Sequence, residues 1–323
     1  MTTYKEIRGT NIEAVASDPS NPVEGQVWYN TTTNVVKGLG FSSGSWATSG
    51  NLNTAREFMG GAGTQAAALG FGGSPPFSGL VATELYNGSN WTEVNDLNTA
   101  RYWMGSCGTS TAALAFAGGL NNGPSTSVDT ETWNGTNWTE VNNLSTARYG
   151  VGGAGTNTAA LAFGGNRPPS TADTETWNGT NWTEVNNLNT ARYGPSGAKS
   201  GTNTATLAFG GSGPTGATEL WNGTNWTEVN DMNVARGEAA GAGTQTAALC
   251  MMGNKYPALN QTESWNGTNW TTVANSNVGR YGPGGAGINT AALAFGGDED
   301  PSPPSNATEE FNAGPVTVTF DVS

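Results

Sequence analysis

Short apolar runs alternate with turn-forming clusters along the whole chain, and no segment keeps a helical apolar spacing for ten residues. The fragment LSTARYGVGGAGTNTAALAFGG begins at Leu144 and is followed, after a short gap, by TETWNGTNWTEVNN. The same order returns six times, marked by Arg56, Arg101, Arg148, Arg192, Arg236 and Arg280 at spacings of 44 to 47 residues. Each repeat reads as four strands. In the third repeat, strand a follows the arginine (149–157), b is 159–165, c is 174–177 and d is 181–185. Asn-Gly joins c to d at 87–88, 134–135, 178–179, 222–223 and 266–267, a strong hairpin signal because both residues tolerate positive φ. Glycine would weaken any competing helix by about 1 kcal/mol per residue.

Four strands in 40–50 residues describe one propeller blade, so the pattern predicts an all-β, six-bladed β-propeller. Glycine and alanine fill strands a and b, as a crowded axis requires. The Trp pairs 133/138, 177/182, 221/226 and 265/270 fall in the outer c–d hairpin, where blades diverge and bulk is needed. The sixth repeat lacks a Trp-bearing strand d. The N-terminal stretch 35–50 reads as a hairpin with Trp46 in the place of Trp91, closing the ring as a strap. The alternating tail 316–323 is a further strand, and either terminus could complete blade six. The expected division is an N-terminal segment, 1–34, and a propeller, 35–323. Trp28 and Tyr29 carry no blade motif and are expected to be exposed and to need a covering partner.

Composition narrows the classes. The 323 residues include 48 Gly, 12 Trp and no His, with a net charge of −13. Without His, no His-based base, triad or metal site can be built. Sparse basic residues disfavour nucleic acid, and no 18-residue apolar run is available for a membrane span. No secretory signal is visible at the N-terminus. The two cysteines fall in blades two and five, on opposite sides of a six-blade ring, and should not pair.

Double glycines close strand b at Gly72-Gly73, Gly118-Gly119, Gly164-Gly165, Gly210-Gly211 and Gly296-Gly297. An aromatic sits in strand c, and a Trp opens strand d. This pattern resembles the kelch repeat, whose members include enzymes, adaptors and binders. Blade five departs, with Met251-Met252-Gly253. The segment 17–38 (SDPSNPVEGQVWYNTTTNVVKG) resembles the start of bacteriophage tail-fibre and other virion proteins, and the near-identical repeats resemble kelch-like proteins of marine phages. The resemblance implies a non-catalytic virion component, a tail fibre or a capsid fibre or decoration, made in the host cytoplasm and released by lysis. Residues 1–34 would bind other virion proteins, with self-association on the particle left open. The alternatives are a purely structural decoration and a secreted bacterial lectin or adhesin.

Each repeat pairs its arginine with a strand-c glutamate (Glu84, Glu131, Glu175, Glu219, Glu263, Glu309), which suits structural bridges. Copper oxidases on kelch-like propellers need His, and no Ser-x-Asp-x-Gly-x-x-Trp sialidase box or phosphate loop occurs, so no catalytic residue and no cofactor is expected. The b–c loops differ from blade to blade while the rest of the repeat barely changes, and binding favours variable loops on a rigid scaffold. Phe77, Arg167, Lys255, Tyr256 and the trio Asp298, Glu299 and Asp300 are the expected contacts to a host-surface glycan or protein. The trio offers oxygens of the kind calcium takes but has no EF-hand pattern, so no metal is expected.

Overall fold

A computed structural model describes residues 12–20, 26–75, 78–120, 125–211, 213–253, 257–299 and 303–320. It divides into two units, 45–312 and a smaller one made of 1–44 with 313–323.

The larger unit holds six four-stranded antiparallel sheets in the order a-b-c-d. In blade three these strands are Gly152–Gly155, Ala160–Phe163, Thr174–Trp177 and Trp182–Val185. Each inner strand packs on the next around the ring, and strand a of blade six (Gly284–Ile288) packs on that of blade one (Gly60–Gly63). Inner strands approach so closely at Gly241 that no side chain fits there. A Cβ on Gly241 would lie 2.2 Å from the Gly197 carbonyl oxygen of the preceding blade.

Blade six takes its outer strand from the N-terminal side. Ser45–Ser49 pairs with Thr308–Asn312, setting Trp46 opposite Phe311. Here the expected boundary at 34/35 is corrected. Val35–Phe41 does not pair with a blade. It pairs with Val27–Asn30 on one side and Pro315–Phe320 on the other, so 35–44 and 313–320 belong to the small unit. The strap is therefore one strand, not a hairpin, and the tail strand lies outside the propeller.

Tryptophan links neighbouring blades. The strand-d Trp138 donates from Nε1 to Thr83 Oγ1 at 3.1 Å and packs edge-on against Phe71 at 4.8 Å, both in the preceding blade. Trp182, Trp226 and Trp270 repeat the arrangement. Aromatic pairs of this kind contribute about 0.5–1.5 kcal/mol beyond their buried area. The c–d connections are four-residue loops. Gly135 takes φ +92°, and the Asn134 side chain accepts from the Thr136 and Asn137 amides at 2.9 and 2.8 Å. Asn137 then accepts from Asn95 of the preceding blade at 2.8 Å. The hairpins of blades two to five are uniform because each ties its blade to the one before it.

The small unit is a sheet of Glu13–Val15, Val27–Asn30, Val35–Phe41 and Pro315–Phe320. The expectation that Trp28 is exposed is overturned, since its exposure is 0%. Its Nε1 donates to Asp18 Oδ1 at 3.0 Å. Asp18 also accepts from Lys37 and Asn30, and these bonds, Lys37 foremost, hold its carboxyl at about 2. Trp28 is thus an internal anchor. Tyr29 is half-buried and donates to Asn34.

Both cysteines are free and buried, and burial pushes the Cys107 thiol up to about 12. Neither thiol is expected to react with a water-soluble thiol reagent at pH 8 until the chain unfolds. Rapid labelling of the native protein would contradict the packing.

Candidate binding site at the axial mouth

The six repeat arginines are buried and ion-paired to the strand-c glutamates, with N–O distances of 2.6 to 3.0 Å. They anchor the d–a loops and leave no cation ring at the surface. The residues that follow each arginine build the mouth of the axis, on the face that carries the b–c loops.

The chain must turn sharply there, from the loop into the axial strand. The second residue after each arginine makes the turn with a left-handed backbone: Phe58, Trp103, Gly150, Gly194, Glu238 and Gly282, at φ +52° to +65°. Each of their amides donates to the same position of the preceding blade. Trp103 N bonds Phe58 O (2.8 Å), Gly150 bonds Trp103 (2.7 Å), Gly194 bonds Gly150 (2.8 Å) and Glu238 bonds Gly194 (3.1 Å). Gly282 bonds Glu238 (2.8 Å) and Phe58 bonds Gly282 (2.7 Å), so six hydrogen bonds form a closed circle. Glycine takes this backbone freely, whereas other residues are strained by about 1–2 kcal/mol each. Phe58, Trp103 and Glu238 bear that strain, and such outliers gather at functional sites.

Their side chains break the sixfold regularity. Phe58 lies 4.3 Å from Trp103 and 5.8 Å from Tyr281 between ring centroids. Trp103 stacks on Tyr149 at 5.2 Å and 6°, and reaches Tyr193 at 6.1 Å and Tyr102 at 6.0 Å. All six rings are half-buried. They form an arc over blades six, one, two, three and four. In blade five, Gly237 and Glu238 interrupt it.

Carboxylates flank the arc. Tyr281 donates from its hydroxyl to Asp298 Oδ2 at 3.1 Å. Glu57 is only 6% exposed, and its Oε2 is buried without a hydrogen-bond partner. Burial, then the charges of Asp298 and Glu238, push Glu57 up to about 8, so it keeps its proton at neutral pH.

Beneath the mouth lies a cavity of about 90 Å³ whose walls include Phe58, Trp103, Ser106, Ser196, Lys199 and Glu238, with room for about three waters at their liquid volume. Lys199 belongs to a two-residue insertion, since Arg192 to Leu207 is two residues longer than Arg148 to Leu161. From blade four its Nζ donates at 3.0 Å to Gly61 O of blade one and to Ser106 Oγ of blade two. Ser200 bonds Gly243 O and Gly287 O of blades five and six. The insertion bridges the channel, and burial lowers the Lys199 amine to about 8. Lys199→Met is expected to keep the ring folded and raise solvent exchange of the Gly61 and Ser106 amides, as hydrogen exchange would show. Unchanged protection would mean that Lys199 does not close the channel.

Among the expected contacts, Asp298 reaches the mouth and Glu299 follows it in the same loop. Arg167, in the b–c loop of blade three, is 48% exposed and pairs with Asp173 at 3.2 Å. Phe77, Lys255, Tyr256 and Asp300 lie outside the described residues. Glu57, Phe58, Trp103, Lys199 and Glu238 escaped the sequence reading. The visible signal was glycine at the second position after the arginine in three repeats and a large residue in the other three. Among the described residues, no cluster of His, Cys, Asp or Glu could hold a metal ion.

No protein-family model matches the sequence, and no curated protein does. Among solved structures, the one titled "Structure of YjhT" superposes with a TM-score of 0.67 at 10% identity, over 84% of this chain and 99% of that one. At that identity the likeness concerns the fold alone, and with the repeated four-stranded sheets it supports a kelch-like β-propeller.

Proposed function

We propose that this chain is a non-catalytic recognition module of a bacteriophage particle, binding a host-surface saccharide at the axial mouth. The observation that carries the binding site is the strained, asymmetric crown. Three non-glycine residues occupy left-handed positions that glycine fills in the other blades, and two of them present aromatic rings. Aromatic faces stack on the C–H faces of sugar rings, and the flanking carboxyl groups can bond hydroxyls. The hairpin side offers a repeated surface already used to join blades. The phage setting rests on the resemblance of 17–38 to virion proteins. The small sheet, rather than 1–34 alone, is the natural attachment element.

A glycan array probed with the wild-type protein and with Trp103→Ala/Tyr149→Ala tests the binding reading. Selective saccharide binding by wild type, lost in the variant at an unchanged melting temperature, is the expected result. Binding that survives the double change places the site elsewhere, and no saccharide binding by wild type removes the reading. Deleting 1–44 together with 313–323 should leave a folded propeller that no longer joins particles. Normal incorporation would contradict the attachment role.

A further inference from the structure

Resting on the saccharide reading, we infer that the crown selects a sugar bearing an ammonium group over neutral or acidic sugars. The Glu57 carboxyl is more than nine-tenths buried, and its Oε2 meets no donor. An orphaned buried acceptor costs about 1–3 kcal/mol, and a cationic ligand supplies what it lacks. Glu57 immediately precedes Phe58, whose ring lies 5.8 Å from that of Tyr281, and Tyr281 bonds Asp298, whose charge acts on Glu57. Rings beside carboxylates form the chemistry that holds ammonium groups, since the cation is drawn to the ring face as well as to the carboxylate.

The surrounding charges agree. Glu238 from blade five and Asp298 from blade six both act on Glu57, and Tyr281 bonds Asp298. The described basic groups nearest the axis are committed elsewhere. Lys199 bonds Gly61 and Ser106, and the repeat arginines bond their glutamates. A ligand carboxylate would meet like charge, which selects against acidic sugars. An arriving cation favours the ionised form of Glu57, so binding releases a proton.

The test is calorimetric titration of the full chain with a glucosamine trimer, its N-acetylated counterpart and tetramethylammonium. The glucosamine trimer is expected to bind about tenfold more tightly than the acetylated one. Glu57→Gln/Glu238→Gln should erase the difference between the two trimers. Tetramethylammonium, whose charge is fixed, should bind more tightly as pH rises from 6 to 9, and Glu57→Gln alone should flatten that rise. Equal trimer affinities, or preference for the acetylated one, overturn the ammonium selectivity and leave the saccharide reading standing. Binding of tetramethylammonium with neither trimer upholds the ammonium site and overturns the saccharide reading. No binding by any probe overturns both.

Discussion

Glu131→Ala is expected to destabilise the propeller by about 3–5 kcal/mol, the range for breaking a buried ion pair from one side. Glu131 accepts from Arg101 Nη2 at 2.7 Å, from the Asn98 amide and side chain at 2.7 and 2.8 Å, and from the Thr99 amide at 3.3 Å. It therefore fastens the loop from blade one to the sheet of blade two. Without it, Arg101 stays buried with only the Ala117 and Asp129 carbonyls. Burial already lowers the Arg101 pKa below its ordinary value, against the pull of Glu131. Arg101→Met/Glu131→Leu should cost much less, because no charge is left uncompensated. Denaturant titration measures both. A loss under 1 kcal/mol for Glu131→Ala would mean that the pair does not hold the loop.

Glu57→Gln is expected to make the protein more stable at high pH and to leave it unchanged at low pH. The folded chain holds the Glu57 proton up to about 8, against an ordinary value of 4.5. The stability that this proton carries is fully present below about pH 4.5, declines as pH rises, and is gone above about 8. Glutamine keeps the neutral form at every pH. The variant should exceed wild type by up to about 5 kcal/mol at pH 9 and match it at pH 4, since each pH unit in the window contributes about 1.4 kcal/mol at most. Denaturation midpoints at pH 4, 6.5 and 9 decide it. Parallel profiles would show that Glu57 is not held protonated. Together with the amine titrations, this variant would show whether the site gives up stability for binding.

Blade number, strand order and the Arg–Glu pairs were legible because each repeats with its partners at fixed spacing. Outer-hairpin tryptophans were legible because only gaps between diverging blades accept so much volume. The c–d hairpins were legible from Asn-Gly, which here opens a four-residue loop that Asn134 caps by its side chain. The domain boundary depends on pairing between 35–41 and 315–320, a contact too distant in sequence for local pattern to reveal. Trp28 looked exposed because nothing nearby in its own motif announced the Asp18–Lys37 pair that covers its polar edge. The crown was hidden inside the most regular part of the repeat. Its position is set by the arginine and the axial hydrogen-bond circle, but its chemistry lies in three side chains that replace glycine. The Lys199 insertion was masked because a shorter b–c loop in the same repeat restores the 44-residue spacing.

The most direct test of the axial mouth as the recognition surface is hydrogen–deuterium exchange on the full chain, with and without the tightest saccharide from the array. Binding is predicted to protect residues 57–59, 102–104, 149–151 and 237–239, with the hairpins 134–137 and 178–181 unchanged. Protection confined to those hairpins, or to neither region, would contradict the account.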